Sequence, residues 1–330
     1  METTKLHNID LPASRIGLGT WAIGGWMWGG TDEKMSIKTI HKALDKGINV
    51  IDTAPVYGFG TSEKIVGKAL KQYGNRDHVI LTTKVGLDWL NNKVYRNSSW
   101  KRVRQEVENS LKRLQTDYID VYMVHWPDPL VPFNETAEVM NNLMKEGKIR
   151  SIAVSNYDAK QMEIFSHTAP IHVAEPPYNM FEREIEKDII PHCKNNDIKL
   201  FTYGAICRGL LSGKMMPETT FHGDDLRKVD PKFQKKRYEM YLNAVSTLDE
   251  FAKEHFKKNV IHLAIRWVLD KGIDVALWGA RRPDQMDIVS EVMDWQLSAT
   301  DMTAIDNLLN QTIDKPVGPE FMAPPTRDEV

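Results

Sequence analysis

The chain has 330 residues, with 43 Lys and Arg against 45 Asp and Glu, so a net charge of −2 leaves no positive excess for neutralising nucleic-acid phosphates. Hydrophobic residues make up 42% and charged residues 27% of the chain, a composition that excludes a disordered or fibrous protein. Two cysteines, Cys193 and Cys207, are too few for a disulfide framework, and no segment has the apolar run of a signal peptide or a membrane span. We therefore expect a cytoplasmic protein that binds neither nucleic acid nor membrane.

Short apolar runs alternate with amphipathic helical patterns along most of the chain. Each apolar run is short enough for a strand that is buried on both faces. The eight strand candidates are Ile16–Trp21, Asn49–Ala54, His78–Lys84, Tyr118–His125, Ile149–Asn156, His172–Tyr178, Ile198–Ala205 and Asp274–Ala280. The helical patterns between them are Glu33–Lys46, Ser62–Tyr73, Trp100–Leu114, Asn134–Glu146, Asp158–His167 and Arg183–Asn196.

Helix start and stop signals agree with these limits. Three helices are predicted to begin at Asp32, Ser62 and Asn134 and to end at Gly47, Gly74 and Gly147. Strict alternation of strands and helices implies parallel strands joined by right-handed crossovers. Eight such units predict an α/β fold, the closed (β/α)₈ TIM barrel, with an open doubly wound sheet as the alternative.

Three stretches exceed the minimum barrel unit. Residues 206–232 form a long glycine- and aspartate-containing loop after the seventh strand, and helical patterns at Phe233–Phe256 and Val260–Leu269 precede the eighth. A further helix begins near Ser298, and the chain closes with a proline-rich segment from Pro316 to Pro325. Because no change in composition marks a linker, we expect residues 1–330 to form one domain.

Four ionisable residues follow or end three consecutive predicted strands. Asp52 ends the second strand and Tyr57 lies in the loop after it, while Lys84 and His125 end the third and fourth strands. In a (β/α)₈ barrel these strand ends form the active-site mouth. Taken singly, each residue also has a structural explanation. Asp52 could cap the next turn, Lys84 could extend into water, Tyr57 could pack in its loop, and His125 could be a hydrogen-bonded residue at the rim. Together they indicate catalysis, because charged groups in a dry mouth are costly unless they satisfy one another.

These side chains suit the donation of a proton to an oxygen atom. We expect the Lys84 ammonium to favour the phenolate of Tyr57 and so to bring the pKa of that phenol closer to neutrality. Asp52 is expected to hold Lys84 protonated, and His125 to hydrogen-bond the reacting oxygen. Proton donation to a carbonyl oxygen also requires a hydride at the carbon, which no side chain supplies, so a nicotinamide cofactor is implied.

Other cofactor and metal motifs are weak or missing from the sequence. The run Gly17–Ala22 has the spacing of a dinucleotide-binding fingerprint, but it continues as a glycine and tryptophan loop instead of opening a helix. The ten histidines are scattered, with no H-E-x-x-H or C-x-x-C motif, so no metal is expected.

The order and spacing of these motifs resemble the aldo-keto reductase family. The matching residues are Gly19-Thr20-Trp21, Asp52-Thr53-Ala54, Tyr57-Gly58, Thr83-Lys84, Val124-His125, Ser155-Asn156 and Tyr203-Gly204. Runs at Tyr57–Gly60, His125–Pro129, Cys207–Leu211 and Phe321–Pro325 are most similar to the bacterial general stress type within that family. The resemblance implies a TIM barrel and a stress-related enzyme that reduces aldehydes or ketones with NADP(H). It implies Tyr57 as general acid, Lys84 and Asp52 as its tuning pair, and His125 as the group that orients the carbonyl.

The resemblance also implies a set of cofactor contacts. Ser155 and Asn156 would bind the nicotinamide carboxamide, and Tyr203 would stack on the ring. The complete set is Gly19, Thr20, Trp21, Asp52, Ser155, Asn156, Glu175, Tyr203, Gly204, Ala205, Ile206, Cys207, Arg208, Gly209, Leu210, Lys214, Arg227, Gly279, Ala280, Arg281, Arg282 and Gln285. The adjacent guanidiniums of Arg281 and Arg282 suit a 2′-phosphate, which favours NADPH over NADH.

The chain departs from the family pattern at two places. Glu175 stands where the family usually has the Gln that binds the carboxamide, and a carboxylate cannot donate a hydrogen bond unless it is protonated. Ile288 and Val289 stand where related reductases often carry Glu and Asn for the adenine. We therefore expect altered cofactor affinity, while adenine recognition remains open.

Aromatic residues after the strand ends predict a cavity for an apolar small-molecule carbonyl compound. We expect Trp21, Trp28, Phe59 and Trp126 to line it, with Trp26 and Trp89 equally compatible with rim packing. One alternative function uses Lys84 as a Schiff-base nucleophile. Another is an NADPH-binding redox sensor with slow turnover. The sequence predicts a monomer or a weak oligomer.

Overall fold

The fold is a closed barrel of eight parallel strands, described for all residues 1–330 by a computed structural model. The barrel strands are β1 (Ile16–Gly19), β2 (Val50–Asp52), β3 (Ile80–Val85), β4 (Ile119–Val124), β5 (Ile149–Ser155), β6 (Val173–Glu175), β7 (Lys199–Thr202) and β8 (Val275–Gly279). Each strand pairs with its sequence neighbours, and β8 pairs with β1 to close the ring. The predicted TIM barrel and its eight strands are confirmed, with the strands one to three residues shorter than expected at most ends.

Helices surround the barrel and pack against the outward faces of its strands. They span Trp21–Gly24, Glu33–Asp45, Thr61–Tyr73, Trp100–Leu114, Phe133–Lys145, Ala159–Ser166, Ile189–Asn195, Lys235–Phe256, Val260–Asp270 and Ala299–Thr312. Seventy buried residues form the core between strands and helices. A smaller cluster that includes Val50, Ile80 and Val121 fills the barrel interior. None of the helices has the length and apolar character needed to cross a bilayer.

Two predicted helix starts and one predicted helix are corrected. Ser62 is not a cap, because the helix begins at Thr61 after Gly60, whose φ is 92°, and the Ser62 hydroxyl instead hydrogen-bonds buried partners. The helix expected from Asn134 begins one residue earlier, after Pro132. The pattern at Arg183–Asn196 divides into a 3₁₀ turn and the helix Ile189–Asn195.

Two β-hairpins lie outside the barrel and were not predicted. Strands Thr3–Leu6 and Ile9–Ser14 pair before β1, and Leu6 and Ile9 belong to the cluster that fills the barrel interior. Strands Leu87–Leu90 and Lys93–Arg96 pair after β3, at the end of the barrel that holds the candidate site. The first hairpin therefore closes one end of the barrel, and the second extends the wall of the other.

Candidate active site

Strand parity determines which side chains reach the barrel mouth. Val50 and Ile80 point into the barrel interior, and in a strand every second side chain lies on the same face. The side chain of Asp52 therefore follows Val50 inward, and that of Lys84 follows Ile80 and Thr82. The same parity brings Ser155, Glu175, Tyr203, Gly19 and Gly279 to the interior at the carboxyl ends of their strands.

A buried ammonium lies at the centre of this layer. The Nζ atom of Lys84 is 2.5 Å from Oδ1 of Asp52 and also donates to the carbonyl oxygen of Thr53 at 3.2 Å. The same Asp52 oxygen accepts a hydrogen bond from Thr82 at 2.6 Å. Lys84 is fully buried and Asp52 almost so. Two further hydrogen bonds, from Lys84 to Thr53 and from Thr82 to Asp52, thus hold the charged pair in one arrangement.

Tyr57 and His125 face each other beside the ammonium. The two rings meet edge to face with centroids 5.7 Å apart, and the Lys84 Nζ atom lies 5.3 Å from the centre of the Tyr57 ring. Trp21 stacks on the other side of Tyr57 at 5.8 Å. The structure therefore brings together the four ionisable residues that the sequence placed at neighbouring strand ends.

Burial dominates the acid–base properties of these groups. It raises the pKa of Tyr57 above its ordinary value, and the Lys84 charge offsets only part of this rise. Lys84 favours the phenolate, as expected, but the expectation that the pKa of this phenol lies closer to neutrality is wrong, because desolvation of the phenolate raises the pKa more than the ammonium lowers it. Burial would lower the pKa of Lys84, but Asp52 and Glu175 together raise it, so Lys84 stays charged. Burial and Lys84 lower the pKa of His125 well below its ordinary value, which leaves this imidazole neutral.

Glu175 adds a second carboxyl group to the same ammonium. Its Oε1 atom is 3.4 Å from the Lys84 Nζ atom, and its buried Oε2 atom has no hydrogen-bond partner. Burial and the nearby Asp52 carboxylate raise the pKa of Glu175 to about 8, against the opposing effect of Lys84. At neutral pH this side chain is therefore largely a protonated acid.

A chain of hydrogen bonds fixes the polar side chains opposite Lys84. Tyr203 donates to the Asn156 side-chain oxygen at 2.8 Å, and the Asn156 amide donates to the carbonyl of His125 at 2.9 Å. Ser155 donates to the backbone carbonyl of Glu175 at 2.8 Å. These bonds hold Tyr203, Asn156 and Ser155 in place around Glu175.

Two cavities open at the barrel mouth and share a wall. The first cavity has a volume of about 240 Å³ and is bordered mostly by apolar side chains, with His125, Ser155, Asn156 and Glu175 as its polar residues. The second cavity has a volume of about 310 Å³ and runs past Asp52 to the end of β8. Trp21, Tyr57, Tyr203 and Met322 border both cavities. Tyr57 therefore lies where a ligand in one cavity would meet a ligand in the other.

Most residues predicted to contact a cofactor border these cavities. The second cavity is bordered by Gly19, Trp21, Asp52, Tyr203, Gly204, Ile206, Arg208, Gly209, Arg227, Gly279, Ala280, Arg281, Arg282 and Gln285, whereas Ser155, Asn156 and Glu175 border the first. Ala205, Cys207 and Leu210 are fully buried in the core, and Lys214 is exposed away from both cavities. Thr20 is also fully buried, and its hydroxyl bonds the Asp52 carbonyl oxygen and Ser62.

Arg208 is engaged inside the protein. Its Nε atom donates to Asp230 at 2.6 Å, and its guanidinium also pairs with Glu182. Lys232, which is fully buried, pairs with the same Glu182 at 2.7 Å. These internal pairs satisfy the Arg208 charge and fix the turn after β7.

Three arginines at the outer rim of the second cavity differ in how they are engaged. Arg227 makes a two-pronged contact with Asp225, at 2.9 and 2.6 Å. Arg281 donates to the carbonyl oxygens of Trp28 at 2.7 Å and Gly30 at 2.5 Å, which ties the loop after β1 to the end of β8. Arg282 is 55% exposed and contacts only Asp284.

The predicted aromatic cavity is only partly correct. Trp21 and Trp126 border the first cavity, as expected. Trp28 borders the second cavity instead, because the loop after β1 folds across the end of β8. Phe59 borders neither cavity, since its ring packs between Trp26 and Trp89.

The C-terminal tail, residues 316–330, supplies walls that the sequence did not assign. Phe321, Met322, Pro324 and Pro325 border the first cavity. Arg96 holds this segment by donating from its guanidinium to the Pro324 carbonyl at 2.8 Å and from its backbone amide to Pro325 at 2.9 Å. The Phe-Met-Ala-Pro-Pro run noted in the sequence was the available signal, but its place on the barrel depends on contacts distant along the chain.

The chain is similar to known proteins of one family. The Aldo/keto reductase family model matches residues 15–310. Aldo-keto reductase YhdN of Bacillus subtilis is 60% identical, with each chain covered completely, and NADH-specific methylglyoxal reductase of Escherichia coli is 36% identical over 92% of this chain and 97% of its own. The solved structure of a glycerol dehydrogenase from Gluconobacter oxydans is 49% identical and superposes with a TM-score of 0.89 over 97% of this chain and 99% of its own. The chain therefore belongs to the aldo/keto reductase family of oxidoreductases.

Proposed function

We propose that this protein reduces aldehyde or ketone carbonyls to alcohols with NADPH, with Tyr57 as the general acid. The observation that carries the proposal is the position of Tyr57 on the shared wall of two cavities, beside a buried ammonium and a neutral imidazole. A reaction between a cofactor in one cavity and a substrate in the other needs its proton donor at this boundary.

The second cavity has the chemistry of a dinucleotide site. Nothing lies within 4 Å of the position that a Cβ atom would take on Gly279, so the backbone there borders open space. Arginines at one end suit phosphate groups, and the indole N–H groups of Trp21 and Trp28 are buried without partners along its wall. These features support the binding of a nicotinamide dinucleotide, with Ser155, Asn156 and Tyr203 holding the nicotinamide end.

Each residue of the site has a separate role in the proposed carbonyl reduction. Hydride for the carbonyl carbon is the chemistry that a bound reduced nicotinamide supplies. Tyr57 donates its hydroxyl proton to the carbonyl oxygen, and neutral His125 donates a hydrogen bond that orients the same oxygen. Lys84, held charged by Asp52, stabilises the phenolate that remains on Tyr57 after the proton has left.

Preference for NADPH over NADH is assigned to Arg282. Its guanidinium is exposed at the rim and contacts only one surface carboxylate, so it is available for a 2′-phosphate. Arg281 adds positive charge, but its donors already bind loop carbonyls. The Escherichia coli relative is named as NADH-specific, so this preference has to be measured directly.

The substrate class follows from the first cavity, whose walls are mostly aromatic and aliphatic. Trp126, Leu87 and Phe321 give it an apolar surface, with the polar end at His125. A small carbonyl compound with an apolar substituent would place its oxygen at Tyr57 and His125 and its substituent against these walls.

The Schiff-base alternative receives little support from the structure. A nucleophilic lysine must lose its proton, whereas Asp52 and Glu175 raise the pKa of Lys84 and keep it charged. The redox-sensor alternative predicts very slow turnover together with very slow cofactor release. The complete set of Asp52, Tyr57, Lys84 and His125 supports turnover.

The proposal includes one catalytic domain over residues 1–330, a cytoplasmic location and a monomer or weak oligomer.

The test is NADPH oxidation measured against a panel of aldehydes and ketones, with Tyr57→Phe as the diagnostic variant. Loss of the general acid should lower kcat at least about a hundredfold while cofactor binding is retained. Tyr73→Phe is a matched control, because the Tyr73 hydroxyl bonds only Asp45 at the protein surface. Near-normal turnover in Tyr57→Phe would remove Tyr57 from the acid role.

A further inference from the structure

Glu175 is a buried carboxyl group with an unused hydrogen-bonding atom at the reactive end of the site. The side chain is 2% exposed, and its Oε2 atom has no partner. It borders the first cavity together with Ser155, Asn156 and Tyr203, the residues proposed to hold the nicotinamide. The acid–base steps proposed above do not use this carboxyl group.

The charges around Glu175 come from four neighbouring elements. Asp52 and Lys84 face it from β2 and β3, Tyr57 from the loop after β2, and Tyr203 from β7. Lys84 carries one positive charge and already pairs with Asp52. The cluster of Asp52, Lys84 and Glu175 is therefore neutral when Glu175 is protonated and carries one negative charge when Glu175 is ionised.

The oxidised and reduced forms of a nicotinamide differ by one charge on the ring. The oxidised ring is cationic and the reduced ring is neutral, whereas the phosphates are the same in both. A negative cluster in a dry cavity attracts the cationic ring and has no comparable effect on the neutral one.

We propose that Glu175 discriminates between the two redox states of the cofactor, so that the preference for the oxidised form over the reduced form rises with pH. This inference rests on the proposed function, because it needs a nicotinamide beside Glu175. Binding of the oxidised form releases the Glu175 proton to solvent, and binding of the reduced form does not.

The direction and the pH range follow from the site. Burial and Asp52 raise the pKa of Glu175 to about 8, so the free protein holds this proton at pH 7. A cationic ring favours the carboxylate and lowers that pKa, so affinity for the oxidised form increases as pH rises towards 8. If the shift is about one unit, the ratio of the two affinities changes about tenfold between pH 6 and pH 9.

The test measures dissociation constants for NADP⁺ and NADPH at pH 6, 7, 8 and 9 by quenching of tryptophan fluorescence. The wild type should show an affinity ratio that rises about tenfold towards the oxidised form. Glu175→Gln should show an affinity ratio that does not change with pH. Glu184→Gln is the matched control, because it makes the same substitution in an exposed surface pair with Lys187 and should behave like the wild type.

A second measurement needs no variant. Calorimetry of the wild type at pH 7, in two buffers of different ionisation enthalpy, should show proton release with NADP⁺ and none with NADPH. A ratio with the same pH dependence in the wild type and Glu175→Gln, or no proton release on NADP⁺ binding, would overturn the inference and leave the proposed function standing. Failure of both cofactors to bind the wild type would instead overturn the proposed function and this inference with it.

Discussion

The floor and the rim of the site hold their charges in opposite ways. At the floor, Lys84 is fully buried and contacts Asp52 and Glu175, whose side chains are 4% and 2% exposed. At the rim, Arg282 is 55% exposed and its partner Asp284 is 60% exposed. Buried charges depend strongly on their partners, whereas exposed charges are screened by water and salt. The floor is therefore suited to tuning proton transfer, and the rim to attracting a charged ligand that must also leave.

Lys84→Met provides the largest test of this contrast. It leaves two carboxyl groups buried without a cation, and breaking such a buried pair costs about 3–5 kcal/mol of unfolding free energy. Lys68→Met is the control, since Lys68 pairs with Glu33 at the surface and both side chains are about half exposed. Loss of a surface pair should cost at most about 1 kcal/mol in the same denaturant titration.

The same variant has a characteristic pH dependence. Without Lys84, the pKa of at least one buried carboxyl group is higher in the folded than in the unfolded state, so the folded protein binds more protons. The unfolding free energy of Lys84→Met should therefore fall as pH rises from 5 to 8, relative to the wild type. Equal destabilisation by Lys84→Met and Lys68→Met at every pH would contradict the contrast between floor and rim.

Arg282→Ala tests the rim and should have an intermediate effect. Loss of a charge-assisted contact to the 2′-phosphate should weaken NADPH binding about tenfold at low salt and leave NADH binding unchanged. The difference should shrink as ionic strength rises, because this guanidinium is exposed.

Arg281→Ala separates the two neighbouring arginines. Its guanidinium ties the loop of Trp28 and Gly30 to β8, so its removal should weaken NADPH and NADH by similar factors. Cofactor titrations of both single variants check this difference. A selective loss of NADPH in Arg281→Ala alone would assign the phosphate to Arg281.

Phe321→Ala should have the smallest effect, because it removes one apolar side chain from the wall of the first cavity. Removal of an apolar contact of about 1 kcal/mol should raise KM for an apolar carbonyl substrate roughly fivefold without changing cofactor affinity. Leu90→Ala is a suitable control, since Leu90 is exposed at a hairpin and borders neither cavity. An unchanged KM in Phe321→Ala would show that substrates do not reach the tail.

The barrel and the buried ion pair at the floor of its mouth were predictable because both follow from local patterns. Apolar runs define strands, and the alternation of side chains along a strand places Asp52 and Lys84 inside the mouth. The direction of the Tyr57 pKa was not predictable, because it depends on how far the assembled mouth excludes water.

Features made by distant parts of the chain were harder to predict. The tail reaches the first cavity through Arg96, more than two hundred residues away in sequence. The hairpin that carries Arg96 did have a local sequence signal, the adjacent pair Asn91 and Asn92. Both residues have positive φ, as a tight two-residue turn requires, and asparagine adopts this conformation more readily than most residues. The hairpin turn could therefore have been predicted from the sequence, whereas the contact between the hairpin and the tail could not.

The tail also bears on how the protein should be handled in the laboratory. Arg327 contacts Asp128 at 3.0 Å just beyond the residues that wall the first cavity, so an affinity tag fused after Val330 would begin close to the opening of that cavity. The hairpin at the other terminus closes the opposite end of the barrel, and Met1 is 40% exposed. Purification tags and immobilisation linkers are therefore better attached ahead of Met1, where they lie away from the first cavity.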